Sequence, residues 1–182
     1  MISLLKTAIK KSVLHTVHYF DELKRVKLNQ RQCNLAPELW DLSSVDGHLM
    51  VQGECDAVNL ARAYGTPLHV VDRQRLHKNY SSFRDSFGSL YPNVEVAYSY
   101  KTNPLPGVLK TLHEFGASAE VISHFELWLA LKLKVAPEKI IFNGPAKTRD
   151  ALELAVGHGI KLINIDNLGE IEAIEAIARH HG

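Results

Sequence analysis

The sequence predicts an α/β fold built from parallel strands. Five short β-rich runs alternate with helical patterns from residue 67 onward, and strands separated by helices of this length mark βαβ units. Capping residues and glycines fall at the joins. An open doubly wound sheet and a closed (β/α)8 barrel both accommodate this pattern. A complete barrel takes about 250 residues, so in a barrel the 182 residues would be the N-terminal part, incomplete as given and preceded by a helical segment.

That segment is read over residues 1–37. Ile2, Leu5, Ile9, Val13, Val17 and Phe20 recur in steps of three and four, which makes one helical stripe, and Lys6, Lys10 and Lys11 sit off it. Such a basic amphipathic helix is expected to pack on the main domain or on a partner subunit; lying on a membrane surface is the other reading. The lysines interrupt any secretory apolar core, so a cleaved signal is not expected. Seven basic and two acidic side chains fall in residues 1–37, against fourteen and eighteen in 38–182. The shift sets a boundary near Pro37, with a partial barrel domain over 38–182.

The β-rich runs are Pro67–Asp72, Val94–Tyr100, Ala117–Val121, Lys139–Phe142 and Leu162–Asp166. The helices between and after them are expected over Arg73–Phe87, Pro104–Phe115, His124–Leu133, Arg149–His158 and Leu168–Arg179. Asn103-Pro104 places a capping side chain before a proline at the first helical position. Ser123 with Glu126, and Asn167 with Glu170, have capping-box spacing. Gly65, Gly116 and Gly159 stand where a helix hands over to the next strand.

Composition limits the function. Hydrophobic residues make up 46% of the chain and charged residues 23%, an ordinary globular balance. A net charge of +1 gives no general electrostatic case for nucleic acid. The two cysteines, Cys33 and Cys55, make no disulfide framework, so a reducing, cytoplasmic compartment is expected. No apolar run reaches the length of a membrane span. His69, His113, His124 and His158 have no metal-ligand spacing, and no metal site is expected.

The most informative stretch is Val94–Pro104. Alternation puts Val94, Val96, Tyr98 and Tyr100 on one face and Glu95, Ala97, Ser99 and Lys101 on the other. In a barrel the second face points inward, and the small Ala97 and Ser99 leave space below Lys101. The lysine then stands at the carboxyl end of a strand, where α/β enzymes place their chemistry. Partly desolvated, it would be an amine nucleophile suited to an aldehyde cofactor; a solvated loop lysine is the other reading that spacing allows.

Residues 38–182 resemble the N-terminal half of the fold type III pyridoxal phosphate (PLP)-dependent decarboxylases, the diaminopimelate, ornithine and arginine decarboxylase group. The lead-in Val45–Leu49 and the stretch Leu60–Asp72 look most like diaminopimelate decarboxylases. Tyr98-Ser99-Tyr100-Lys101-Thr102-Asn103 is a close variant of the family's YAVKAN. Residues 119–127, AEVISHFEL, are similar to its DVVSxGEL segment. Residues 140–147, IIFNGPAK, look like its strand and following loop, with the usual GNNK replaced. Asp166–Ile171 is similar to its D-S-x-x-E-L.

The resemblance implies a PLP-binding barrel in which Lys101 forms the Schiff base with PLP and is the catalytic residue, with Ser99 and Glu120 beside the cofactor. Glu120 stands where the family usually has an aspartate. Glu126 is either a helix cap or part of the site lining, Asn103 is read as a cap, and His124 as a surface residue. The substrate implied is a small amino acid, with diaminopimelate first, and hence a place in lysine biosynthesis. The resemblance also places the phosphate-binding glycines and a C-terminal domain outside this sequence, so a homodimer or a complementing C-terminal fragment is the expected partner. A catalytically inactive fragment or regulatory module that binds an intact decarboxylase is the alternative. A PLP racemase is the third hypothesis, disfavoured by the lead-in and by the absence of a tyrosine-type second base.

Overall fold

The computed structural model describes residues 41–181, so the helix expected over residues 1–37 and the boundary near Pro37 lie outside the described residues. The chain divides into two compact units, Met1–His69 and Val70–Gly182.

In the first unit, strands β1 (Leu42–Val45) and β2 (His48–Val51) form an antiparallel hairpin. Asp46 and Gly47, the two loop residues, both have positive φ, +50° and +81°. That is the twist a two-residue hairpin loop needs, and Asp-Gly is among the pairs that adopt it. β3 (Cys55–Asp56) pairs with β2 and leads into helix α1 (Ala57–Tyr64). Asp56 caps α1, accepting from the Val58 amide at 2.7 Å, and its other oxygen lies 2.8 Å from His48 Nδ1.

The second unit opens with α2 (Arg73–Gly88), whose cap Asp72 accepts from the amides of Gln74 and Arg75. Four strands then alternate with helices: β4 (Ala97–Ser99), α3 (Pro106–Glu114), β5 (Ser118–Val121), α4 (His124–Lys132), β6 (Ile140–Phe142), α5 (Arg149–Gly157), β7 (Leu162–Ile163) and α6 (Leu168–His181). Every pairing is parallel and the spatial order is β4-β5-β6-β7. Each new strand joins the same edge. A doubly wound sheet reverses at its switch point, and these strands show no reversal, as in the wall of a barrel.

The strands expected over Val94–Tyr100 and Leu162–Asp166 are shorter, Ala97–Ser99 and Leu162–Ile163, and two further expectations need correcting. Pro67–Asp72 forms no strand and joins no ladder among the described residues, and Leu68, Val70 and Val71 are exposed. An apolar run becomes a strand only where a neighbour takes its backbone hydrogen bonds. The helix expected from Pro104 starts at Pro106, with Leu105 as its cap. The Asn103 side chain accepts from the Leu105 amide at 3.2 Å, two residues on, and so forms a turn before the helix rather than its cap.

Register fixes the two faces of the sheet. Tyr98, Ala119 and Ile140 form one row, and Val121, Phe142 and Ile163 the next. Both rows pack beneath the helices against Leu109, Leu127, Ala130, Ala151 and Ala155, where most side chains are fully buried. A second cluster joins Tyr80 on α2 to Val108 and Leu112 on α3 and to Ala117. The row Ser99, Glu120, Ile141 and Leu162 faces the other way. Its first three members are half-buried and Leu162 is 46% exposed, so the described helices cover one side of the sheet and leave that row open.

Helix starts follow their caps. Ser123 accepts from the Glu126 amide at 3.2 Å, and Thr148 from the Ala151 amide at 3.3 Å. Gly116 and Gly159 take φ of +104° and +60° between helix and strand, a conformation open to glycine at little steric penalty.

Candidate active site

The chemistry-bearing residues gather at the carboxyl ends of the parallel strands. β4 ends at Ser99, and the chain turns at once into a 3-10 segment, Tyr100–Thr102. Lys101 is exposed in that turn. The strand alternation expected through Tyr100 therefore stops one residue short, and the turn rather than the strand presents the lysine.

Ser99 is paired in register with Glu120 on β5. In parallel strands, paired residues share a face, so both belong to the open row. Ser99 Oγ is buried and has no hydrogen-bond partner among the described residues. A buried hydroxyl without a partner is unfavourable by about 1–3 kcal/mol, and it marks a place where a further donor or acceptor would fit. Glu120 does not stand alone: Asn143 Nδ2, just beyond β6, donates to Glu120 Oε1 at 2.8 Å. Asn164 Nδ2, just beyond β7, donates in turn to Asn143 Oδ1. The backbone carries the same row, because the amides of Asn143 and Asn164 donate to the carbonyls of Val121 and Phe142 at 2.8 and 2.9 Å. The result is a polar line, Glu120–Asn143–Asn164, across the mouth of the open face.

At the opposite end of β4, Glu95 accepts from Ser118 Oγ and from Lys161 Nζ. Lys161 and Ser118 together hold its carboxyl below the usual range. Glu95 is thus tied at the amino-terminal end of the sheet, away from the site end.

The loops behind the mouth are clamped by one buried ion pair. Lys147 Nζ, fully shielded from solvent, donates to Glu170 Oε2 at 2.9 Å and to the Gly144 carbonyl at 2.6 Å. Glu170 also accepts from the Asp166 amide and from Asn167 Nδ2. Burial raises its carboxyl, but the Asp166 amide and Lys147 outweigh that and leave it below the ordinary value. The pair fixes the β6–α5 loop against the start of α6, and so fixes the two asparagines that those loops follow.

Gly144 shows how closely the loop is set. Its φ is +100°, and a Cβ there would meet the Ile122 carbonyl oxygen at 2.8 Å. Gly144→Ala is expected to lower unfolding free energy by about 3 kcal/mol, from backbone strain and overlap together. Urea denaturation checks this; an unchanged midpoint would contradict the packing described.

Other candidates separate from the site. Glu126, 9% exposed, accepts from the Ile122 amide at 2.8 Å, which makes it a cap of α4. His124, His69 and His158 are exposed. No group of three metal-ligating side chains occurs among the described residues, and no described helix is long and apolar enough to cross a membrane. Sequence reasoning singled out Lys101, Ser99 and Glu120 but missed Asn143, Asn164 and the Lys147–Glu170 pair. A polar side chain one residue past an expected strand was the available signal for Asn143; Asn164 lay inside the run expected as a strand, Leu162–Asp166, which ends at Ile163.

Comparison with known proteins gives a consistent picture. The family model described as "Pyridoxal-dependent decarboxylase, pyridoxal binding domain" matches residues 73–181. The diaminopimelate decarboxylase of Methanothermobacter thermautotrophicus is 34% identical over 132 residues, covering 72% of this chain and 30% of that protein. The Bacillus methanolicus diaminopimelate decarboxylase is 36% identical over 131 residues, with the same coverage. The crystal structure of diaminopimelate decarboxylase from Methanocaldococcus jannaschii superposes with a TM-score of 0.69 at 28% identity, over 76% of this chain and 33% of that one. This chain spans about a third of the length of the curated relatives it matches.

Proposed function

The chain belongs to the pyridoxal-dependent decarboxylase family, and we propose that its parallel sheet is the lysine-bearing wall of a PLP site in an amino-acid decarboxylase. The observation that carries this is the pairing of Ser99, whose buried hydroxyl has no partner among the described residues, with Glu120 on the open row, and the turn directly after Ser99 that holds the exposed Lys101. Lys101 Nζ is the amine that would hold the aldehyde carbon of PLP. Bound there, PLP supplies an electron sink for the carbanion left at an amino acid's α-carbon when carbon dioxide departs.

The remaining work falls to this chain's own groups. Ser99 Oγ offers a hydrogen bond to a polar atom lying over β4. Glu120 has one oxygen held by Asn143, which restricts its longer side chain and leaves Oε2 to accept a further proton donor. The 3-10 turn keeps Lys101 at the mouth, where it can reach cofactor and substrate. Diaminopimelate is the substrate proposed, because the relatives cited act under that name. Residues 38–182 are taken as the cofactor-binding part, with residues 1–37 as an extension that packs on it or on a partner.

The open row calls for covering strands, from a second copy or from a complementing C-terminal segment, since Leu162 on it is exposed. A module that associates with an intact decarboxylase is the second reading. It draws on Phe125 and Trp128, which are stacked and exposed on α4.

The test is spectroscopic. PLP added to the chain should develop a visible imine band, and diaminopimelate should shift that band more than lysine or ornithine does. A band that responds equally to all three removes the substrate assignment. No band at all, with tight capture of an intact decarboxylase subunit, favours the associating module.

A further inference from the structure

We propose that Tyr100 and His113 are positioning residues that hold the Lys101 turn in the arrangement that captures PLP, an inference that rests on the role given to Lys101 above. Tyr100 immediately precedes Lys101 in the three-residue turn and is fully buried. Its hydroxyl lies 2.7 Å from His113 Nε2 on α3, and His113 Nδ1 lies 2.8 Å from the carbonyl oxygen of Ala117. A carbonyl only accepts, so Nδ1 carries the proton and Nε2 accepts from the tyrosine. One imidazole thereby ties the end of β4, helix α3 and the entrance to β5.

The family motif has valine where Tyr100 stands. Valine, the residue at that place in the motif, offers His113 no hydrogen bond. Burying a phenol and an imidazole is unfavourable unless each finds its partner. An aliphatic side chain would fill the space without that requirement; what the bond adds is a single fixed geometry at the residue before the lysine.

The bond depends on protonation. Burial pushes His113 below the ordinary histidine value; the Ala117 carbonyl pulls the other way, and the charge of Lys139, just before β6, adds to the lowering. Burial and the Glu126 carboxylate on α4 push the Tyr100 hydroxyl up. Both groups are therefore neutral at neutral pH. A proton added to Nε2 leaves the Tyr100 O–H without its acceptor, and the turn loosens in acid.

The experiment uses the 182-residue chain with its Tyr100→Phe and His113→Gln variants. Each is mixed with PLP, reduced with borohydride from mildly acid to mildly alkaline pH, and digested; the adduct on Lys101 is quantified by mass spectrometry. Tyr100→Phe should slow adduct formation at neutral pH by about fivefold, the equivalent of one ordinary hydrogen bond, and the gap should close in acid. His113→Gln presents an amide oxygen that accepts from Tyr100 and does not titrate. It should keep the wild-type rate at neutral pH and lose part of the acid fall, the rest being protonation of the Lys101 amine. Acetylation of Lys101 by acetic anhydride gives a cofactor-free readout of the same turn, and should change in Tyr100→Phe but not in His113→Gln at neutral pH. Equal rates and equal pH profiles in all three chains, with the adduct on Lys101, overturn the positioning role and leave the cofactor site standing. A wild-type chain with no Lys101 adduct overturns both.

Discussion

Lys101→Ala is expected to leave the chain folded and unable to retain PLP through desalting. The side chain is exposed in a turn and makes no hydrogen bond or ion pair among the described residues, so its removal breaks no polar contact there. Surface substitutions of this kind change stability by about 0.5 kcal/mol or less. The chemical effect is of another order. Where a covalent group is deleted, the loss in turnover is about 10⁴-fold or more. Lys101→Arg separates the two properties of the side chain, because it keeps the positive charge but has no amine that deprotonates. Retention lost in both variants assigns the effect to the nucleophilic amine. Retention kept in Lys101→Arg would mean that charge alone holds the cofactor, and Lys101 would lose its catalytic role.

The second large effect is structural. Lys147→Met leaves the Glu170 carboxylate, 6% exposed, without its ammonium partner. Breaking one side of a buried ion pair lowers stability by about 3–5 kcal/mol, so chemical denaturation should show a much earlier midpoint. The double variant Lys147→Met with Glu170→Met should recover most of the loss, since a well-packed apolar pair often matches a buried ionic one. A single variant as stable as wild type would show that the pair is solvated. The pH dependence has a definite sign. The folded-state value of Glu170 is depressed, so its contribution is present above the ordinary carboxylate range and is lost as pH falls through the folded value. His113 has the opposite charge type: its folded value is also depressed, so the unfolded chain takes the proton first. Its contribution declines as pH falls below the ordinary histidine value.

The two predictions meet at the same place. Lys147 donates to the carbonyl of Gly144, next to Asn143, while Asn143 holds Glu120. Loosening the pair should therefore weaken cofactor capture as well as stability, though Lys147 itself stands outside the lysine-bearing face. The loops at the carboxyl ends of β6 and β7 are thus both scaffold and site.

Much of this organisation is legible in the sequence. The helix and strand order is read from capping residues and alternation, and the parallel pairing follows from it. Alternation with the tyrosines leads one to expect Lys101 on the face of Ala97 and Ser99, but the strand ends at Ser99 and Lys101 lies in the 3-10 turn that follows. What alternation cannot give is the neighbour. Glu120 with Asn143, and Lys147 with Glu170, are each separated by 23 residues, and they meet only because the strands align in one register. Tyr100 and His113 meet because α3 packs back across β4. The Asp46-Gly47 hairpin carries a local signal that was there to be read. Pro67–Asp72 shows the converse: a strand-like composition that joins no ladder among the described residues. Glu126 fell between two readings on sequence alone, and its bond to the Ile122 amide makes it a cap.

The most direct measurement is to reduce the wild-type chain with borohydride in the presence of PLP and map the modified residue by mass spectrometry. The account predicts a single pyridoxyl adduct, on Lys101. Labelling spread over several lysines, or confined to one other than Lys101, would contradict it.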